Sequence, residues 1–454
     1  MLIPKNNANQ MRTRILVKIV EKFLQGRFAD ADRIPLELRP KGGEVSRCCI
    51  YKDRAILKYR CMASMGFAPE DETDELTSLK EYGERALARS EHAVNKLSVI
   101  TDACSGCIRS RYLVTDACRG CFAKPCQVNC PKQAITIVNG RSTIDPDKCI
   151  SCGACVYQCP FGAITDKSYI INVVDILKKS AQNKKFKVFA VVAPSVSSQF
   201  TYAKLGQVVT GLKELGFHTV VEAALGADMV ADAESKELAE KGFLTSSCCP
   251  AFVDYIEKNF KDLVPFVSHN LSPMATIAKY LKENEAPCKV VFIGPCTAKK
   301  AEVQKEEVKP YVDVAMTFEE LQALFDSRDI DLTTLPEGVL DNASYFGRIF
   351  ARCGGLADAV REGLKEHGSD FELKPCSCDG IESCKIALLQ KSKGRLDANF
   401  IEGMACEGGC IGGPACLSHS SKNAAQVDAY GRSSMEQTIS DAISVLQLNG
   451  TANH

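Results

Sequence analysis

A C-terminal α/β domain, a cysteine-rich α+β segment before it and a mainly helical N-terminal region make up the architecture predicted by the 454-residue sequence. Three observations predict it. From about Lys185 onward, short apolar runs that end in small residues or turns alternate with amphipathic stretches, the pattern of strands interleaved with helices. Residues 118–160 hold two cysteine quartets, each closed by a proline. In the first 105 residues, ILVKIVEKFLQG and DELTSLKEYGERALARSEHAVNKL repeat apolar side chains at helical spacing. The boundaries expected from these textures are 1–105, 106–168 and 185–448.

The N-terminal region carries little chemistry, and its charge-rich SRCCIYKDRAILKYR reads as a link onto the cysteine quartets. With 45% hydrophobic residues the chain is globular and long enough for two or three domains. Its 56 basic and 56 acidic residues balance, so no nucleic-acid or membrane-surface partner is expected. No apolar run approaches the roughly 20 residues that span a bilayer, and MLIPKNNANQMRTR lacks a signal peptide's apolar stretch, which predicts a cytoplasmic protein. There, thiols stay reduced, so the 24 cysteines point to metal rather than disulfides. Only six histidines accompany them, which favours thiolate sites, either iron-sulfur or zinc.

Spacing separates these two. CRGCFAKPCQVNCPKQAITIVNGRSTIDPDKCISCGACVYQCP contains Cys149, Cys152, Cys155, Cys159 and Pro160 in the CxxCxxCxxxCP run of bacterial ferredoxins. Cys118, Cys121, Cys126, Cys130 and Pro131 repeat it with two extra residues, and PKQAIT echoes PFGAIT. Such a pair implies two 4Fe-4S clusters, the fourth cysteine of each run crossing to the other cluster. Cys118, Cys121, Cys126 and Cys159 are thus expected on one, and Cys149, Cys152, Cys155 and Cys130 on the other. A zinc ribbon also uses paired CxxC motifs, but two proline-closed quartets argue against it.

In the α/β half, KVFAVVAPSV, TVVEAAL, KVVFIGPC and NFIEGMAC read as strands, FTYAKLGQVVTGLKELGF and TFEELQALFDSR as helices. Chemistry in such sheets gathers beyond the carboxyl ends of strands. Cys248, Cys249, Cys296, Cys406 and Cys410 fall there. Four of them would satisfy a 4Fe-4S cluster, leaving one over. Cys248 and Cys249 are adjacent, and neighbouring side chains point apart, so the two are expected to do different jobs.

TSSCCPAF, GPCTAKKAE and FIEGMACEGGCIGG resemble the three signature motifs of the iron-only (FeFe) hydrogenase catalytic domain, in the family's order. The resemblance implies two lobes of parallel or mixed sheets flanked by helices, enclosing an H-cluster. That group is a 4Fe-4S unit joined through one cysteine to a two-iron centre with carbon monoxide, cyanide and dithiolate amine ligands. The resemblance places Cys249, Cys296, Cys406 and Cys410 on the 4Fe-4S unit, with Cys410 bridging. It makes Cys248 a proton-relay thiol, since a free thiol of pKa near 8.5 can pass a proton without staying charged. It sets Lys299 on one cyanide, Pro194 and Ser195 near the other, Met404 as an apolar wall, and Ser268 and Glu302 on the inner proton path. The activity implied is reversible oxidation of hydrogen or reduction of protons. The proton/hydrogen couple lies near about −0.41 V at pH 7, from ~59 mV per pH unit, within the roughly −0.7 to +0.45 V range of iron-sulfur clusters. A ferredoxin or similar low-potential carrier is the partner this implies, with maturation proteins supplying the two-iron centre.

The sequence departs from the family at several points. GCIGGPACLSH replaces a GGGQP-like turn, Gly294 stands where a methionine is usual, and Met274 follows Ser272 and Pro273 where a glutamine is common. VVEAALGADMVADAE shows alanine and glycine where two proton-path glutamates are expected, which reads as a divergent subgroup with an altered outer proton route. Of the remaining cysteines, Cys104 and Cys107 in TDACSGC could join Cys48, Cys49 or Cys61 in a further cluster or zinc site, or be reduced thiols. Cys376, Cys378 and Cys384 have no ligand spacing and read as structural, while Cys353 and Cys416 are expected to line the active site without ligating it. Two other functions stay open: a non-catalytic iron-sulfur scaffold or assembly relative, disfavoured by retention of Cys248 and Lys299, and a hydrogen sensor, disfavoured because no sensory domain is evident.

Overall fold

The computed structural model describes residues 7–42, 49–74, 76–89, 97–99, 123–138, 141–159 and 164–450. Cys48, Cys104, Cys107, Cys118, Cys121 and Pro160 lie outside them, and with them half of one expected ligand set and the expected further metal site. The chain forms two compact units, residues 1–178 with 319–331, and residues 179–318 with 332–454.

In the first unit, α1 (Asn7–Leu24) buries Met11, Ile15, Leu16, Ile19 and Val20 along one stripe. SRCCIYKDRAILKYR, expected as a link, is largely helix: α2 spans Ile50–Ser64. Its Cys49 caps the first turn, Sγ accepting from the Lys52 amide at 3.5 Å, and its Ile, Ala, Leu, Lys and Arg content favours helix. Ser78 caps α3 (Leu79–Ala88) in the same way. Two antiparallel pairs follow, β1 (Leu97–Val99) with β4 (Ile164–Asp166), and β2 (Ile135–Val138) with β3 (Arg141–Ile144). Short helices α4 (Pro125–Val128) and α5 (Ala154–Gln158) carry cysteines beside them. This is the expected α+β ferredoxin-like fold, and its core joins Ile56, Ala63, Ile135, Ile144 and Ile164 to Cys126, Cys155 and Cys159.

The second unit contains β5 (Lys187–Val192), β6 (Thr219–Glu222), β7 (Leu244–Thr245), β8 (Cys288–Gly294), β9 (Val314–Thr317), β10 (Pro375–Asp379) and β11 (Phe400–Met404). One sheet has the order β6-β5-β8-β9 and the other β10-β11-β7, with every pairing parallel. Parallel strands covered on both faces must be apolar throughout, which is why Val188–Val192 and Val290–Ile293 are buried without alternation. The registers pair Val192 with Ile293 and Glu222, and Gly294 with Thr317. The carboxyl ends of the first sheet therefore lie level, as do Asp379 and Met404 in the second, where β7 ends three residues earlier, Thr245 pairing with Ile401.

Helices flank these sheets: α6 (Ala223–Lys241), α7 (Pro250–Asn259), α8 (Pro273–Asn284), α9 (Ala298–Glu302), α10 (Gly355–Glu366) and α11 (Ile381–Ser392). The strands and helices expected from sequence in this half are present. One close approach fixes the second sheet: a Cβ on Gly403 would sit 2.3 Å from the Phe252 ring, so α7 can lie against β11 only because that residue has no side chain.

Candidate functional site

In the ferredoxin-like segment, one cavity is lined by Cys130, Cys149, Cys152 and Cys155 together with Ile135 and Ile150. These four cysteines are the set assigned to one cluster by spacing, including the crossing Cys130. Gly153, at φ 77°, turns the chain into α5 so that Cys152 and Cys155 face the same space. The Ala134 amide donates to Cys130 Sγ at 3.2 Å and the Ser151 amide to Cys149 Sγ at 3.4 Å. Such N–H···S bonds spread thiolate charge and tune a cluster's potential. Burial, then Cys152, Cys149, Cys130 and Cys126, hold the Cys155 thiol well above its ordinary range. Thiolates so close together need a positive body between them, and this donor set fits an iron-sulfur cluster. Cys126 and Cys159, two members of the other set, are buried in the same core, and Cys126 meets Ser142 Oγ at 3.4 Å.

Among the described residues, no three Cys, His, Asp or Glu side chains converge as ligands of a single metal ion. Zinc thiolates would lie only about 3.8 Å apart, from tetrahedral Zn–S bonds near 2.3 Å, whereas a cube whose irons each take one cysteine spreads its ligands further.

In the second unit each motif begins where a strand ends. β7 runs into Ser246 and Ser247, then Cys248, and Cys249 stands at the N-cap of α7 with Pro250 at its first position. β8 ends at Gly294 and turns through Cys296 into α9. β11 ends at Met404 and turns through Cys406 to Cys410, the Gly409 amide bonding the Cys406 carbonyl at 3.1 Å. Gly409 adopts φ 88° and ψ −150°, a conformation that requires glycine.

The loops bring the cysteines together. Burial raises the Cys249 thiol and then Cys296 raises it further, while burial, Cys296 and Cys249 push Cys410 up to about 12. Burial likewise raises the Cys296 thiol, and Lys299 opposes all three shifts. Cys406, half-buried, occupies the same turn as Cys410. Cys248 packs against the apolar cluster of Ala227, Leu244, Phe350 and Phe400, and after burial the neighbour that raises its thiol most is Glu234, ahead of Cys249 and Cys410. The adjacent sulfurs thus have different surroundings, and Cys248 is held as a neutral thiol rather than near the ordinary value expected from sequence.

Lys299 is 9% exposed. Its Nζ pairs with Glu302 Oε2 at 2.6 Å and donates to Ser272 Oγ at 2.9 Å and to the Cys248 carbonyl at 3.3 Å. Burial alone would depress this ammonium, but Glu302, then Cys296 and Cys248, outweigh it and leave it raised. Glu302 is therefore bound to Lys299, and Ser268 has other carboxylates. Pro194 opens the turn Pro194–Ser198, where the buried Ser195 Oγ has no hydrogen-bond partner. An unmatched buried hydroxyl is unfavourable by about 1–3 kcal/mol and suits a ligand. Met404 is 2% exposed, as expected of a wall, and Met274 is buried in α8.

Two carboxylates that the sequence reading did not single out stand further along α6, Glu234 and Glu237, which share a helix face at i, i+3. Glu234 is fully buried and neither of its oxygens has a partner within hydrogen-bonding geometry, the Ser268 hydroxyl and Ser247 amide being the nearest donors. Burial pushes its pKa up to about 7. Ser268 Oγ donates to Glu237 Oε2 at 3.3 Å, and Glu237 Oε1 meets His269 Nδ1 and Lys241 Nζ, each at 2.7 Å. His269 is exposed. Cys248, Glu234, Ser268, Glu237 and His269 thus lead from the cysteine pocket to the surface. At the strand end, Glu222 accepts from Arg348 Nε and Nη2 at 2.9 and 2.8 Å. Nothing in the local pattern of VVEAALGADMVADAE marks Glu234 as buried.

The sequence and the fold agree with known proteins. Residues 142–165 match the 4Fe-4S binding domain. The chain is 27% identical over 326 residues to an NADP-reducing hydrogenase subunit of Solidesulfovibrio fructosivorans, a match covering 58% of this chain and 55% of that one. It is also 23% identical over 333 residues to the nuclear prelamin A recognition factor of Rattus norvegicus, covering 58% and 72% respectively. Its fold matches the apo [FeFe]-hydrogenase of Chlamydomonas reinhardtii with a TM-score of 0.53 at 21% identity, over 62% of this chain and 93% of that one. Residues 186–414, half of the chain, match the family described as "Iron only hydrogenase large subunit, C-terminal domain", and the chain belongs to that family.

Proposed function

We propose that this protein reversibly oxidises hydrogen at an H-cluster, with electrons relayed through two ferredoxin-type 4Fe-4S clusters. The observation that carries this reading is a thiol, Cys248, which no cluster needs and which stands at the inner end of a line of protonatable groups. A plain iron-sulfur scaffold has no use for such a line. The regions 1–105, 106–168 and 185–448 then act as accessory region, electron relay and catalytic domain.

Cys249, Cys296, Cys406 and Cys410 would hold the 4Fe-4S unit, with Cys410 bridging. When bound, the H-cluster supplies the metal site at which hydrogen is split or assembled. Lys299, fixed by Glu302 and Ser272, keeps a positive charge beside the cysteines, and Ser195 Oγ offers a free hydroxyl to an anionic diatomic ligand. Met404 excludes water. Cys248 holds the proton at Sγ and exchanges it with Glu234. A pKa of about 7 poises Glu234 to take or give a proton near neutral pH. Ser268 passes it to Glu237, and His269 and Lys241 exchange it with solvent. Electrons leave to a ferredoxin-like low-potential carrier in the cytoplasm, and maturation proteins supply the two-iron centre.

A second reading, a non-catalytic iron-sulfur relative, is favoured by Gly294 and Met274 at positions where the family's catalytic members usually place a methionine and a glutamine. The test is hydrogen evolution with a low-potential reductant after the two-iron centre has been supplied. Turnover together with infrared bands of metal-bound carbon monoxide and cyanide supports the enzyme; full 4Fe-4S loading without those bands supports the scaffold. Bands with only marginal turnover point to a hydrogen sensor.

A further inference from the structure

PCSCDGIESC, residues 375–384, carries three cysteines that neither the clusters nor the proton route uses. β10 is an outer strand of its sheet, so Cys376 and Cys378 share one face while Ser377 and Asp379 turn to solvent. Cys376 is half-buried, and Cys378 and Cys384 are buried. Cys376 Sγ lies 3.9 Å from Cys378 Sγ, Cys378 is within hydrogen-bond reach of Cys384, and Cys384 Sγ donates to the Met404 carbonyl at 3.6 Å. Three sulfurs therefore run inward from the surface to the strand that leads to Cys406.

We propose that Cys376 and Cys378 form a reversible disulfide by exchange with a disulfide-bearing thiol compound or protein, while Cys384 stays a thiol. Cys376, the sulfur solvent can reach, loses its proton and attacks the incoming disulfide. One of that compound's sulfurs leaves as a thiolate and takes up a proton. Cys378 then attacks Cys376 Sγ and expels the second as a thiol. The two protein thiols give up two electrons and two protons, the partner's S–S bond breaks, and two partner thiols are released. Positions two apart on a strand are about 6.6 Å between Cα atoms, near the roughly 6.8 Å upper end of the disulfide range. The bond is accordingly labile and reversible rather than structural. The Cys378 sulfur, and then burial, hold the Cys376 thiol raised, so exchange is slow at neutral pH and quickens about tenfold per pH unit.

The site does not depend on the hydrogen reaction, and its test does not use it. The full chain with its clusters is incubated anaerobically with glutathione disulfide, quenched, unfolded, alkylated with iodoacetamide and digested with trypsin. The peptide 366–385 holds all three cysteines. The expected result is a single alkyl group, on Cys384, a peptide lighter by two hydrogens, unchanged iron content, and reversal by dithiothreitol. Cys376→Ser should prevent the change, and Cys378→Ser should halt it at a glutathione adduct on Cys376. Three alkylated thiols at saturating oxidant, a Cys378–Cys384 link, or a lasting glutathione adduct on the unmutated chain would overturn the proposal.

Discussion

In the ferredoxin-like segment, Cys149, Cys152 and Cys155 come from one turn and the start of a short helix, and their placement follows from Gly153 and the nearby amides. In the second unit, Cys249, Cys296 and the pair Cys406 and Cys410 come from the ends of three strands in two different sheets. The first site is made by local geometry and the second by tertiary register. A ligand lost from the first should disturb one turn; a ligand lost from the second should unfasten loops that meet nowhere else in the sequence. The two sites also differ in what surrounds their sulfurs. The ferredoxin-like set meets amides and isoleucines, whereas the catalytic set meets a buried lysine and buried acids, which proton chemistry requires and electron transfer does not.

The largest effect separates the two sites outright. Cys410→Ala should remove about six irons from the second unit, those of the 4Fe-4S unit and of the two-iron centre it joins, and abolish all hydrogen turnover. Cys155→Ala should remove about four irons from the ferredoxin-like segment, stop carrier-linked turnover, and leave hydrogen–deuterium exchange intact. Iron analysis beside the exchange assay reads both, and loss of exchange in Cys155→Ala would break the contrast.

Next, Glu234→Gln keeps the shape of the side chain but cannot carry a proton. Turnover should fall on the order of 10²-fold or more, with iron content unchanged. Full activity would exclude Glu234 from the route.

Lys299→Met leaves Glu302 buried without its partner. The second unit should lose about 3–5 kcal/mol of stability in urea titration, and Glu302→Gln should lose less. Equal, small losses would mean that the pair is not as buried as its 9% and 6% exposures indicate.

The smallest effect lies in α6 itself. Asp228 is fully buried, accepts from the Ser344 amide at 2.9 Å, and is raised by burial to about 7. A carboxyl whose folded pKa exceeds its unfolded value of 3.8 favours the fold while protonated. Its contribution is fully present below about pH 4 and is lost as pH rises through about 7. Asp228→Asn should flatten that part of the stability profile between about pH 4 and 7, measured by urea midpoints. An unchanged slope would assign the dependence to other groups such as Glu234.

Much of this was legible in the sequence, and for physical reasons. Spacing in a ferredoxin-type run is set by a short turn, so the grouping of Cys130 with Cys149, Cys152 and Cys155 around one cavity follows from the sequence. Strand–helix alternation is likewise local, and it located β5, β8 and β11. What escaped reading depends on partners distant in the chain. Residues 319–331 join the N-terminal unit, where Arg12 meets Glu319 at 3.1 Å, although they follow a strand of the other unit. Glu234 carries no sign of its burial, because its surroundings come from the loops holding Cys248 and Ser268. The helix Ile50–Ser64 lies in a charge-rich run that resembles a linker, because its cap and its packing are not visible in the local pattern.

The most direct measurement pairs Cys248→Ala with Cys249→Ala in chains supplied with the two-iron centre, recording iron content, infrared bands and hydrogen turnover together. Cys248→Ala should keep its iron and its carbon monoxide and cyanide bands while turnover disappears, and Cys249→Ala should lose the second unit's iron and bands altogether. Near-normal turnover in Cys248→Ala, or loss of the metal centre from it, would contradict the separate fates of these neighbouring sulfurs.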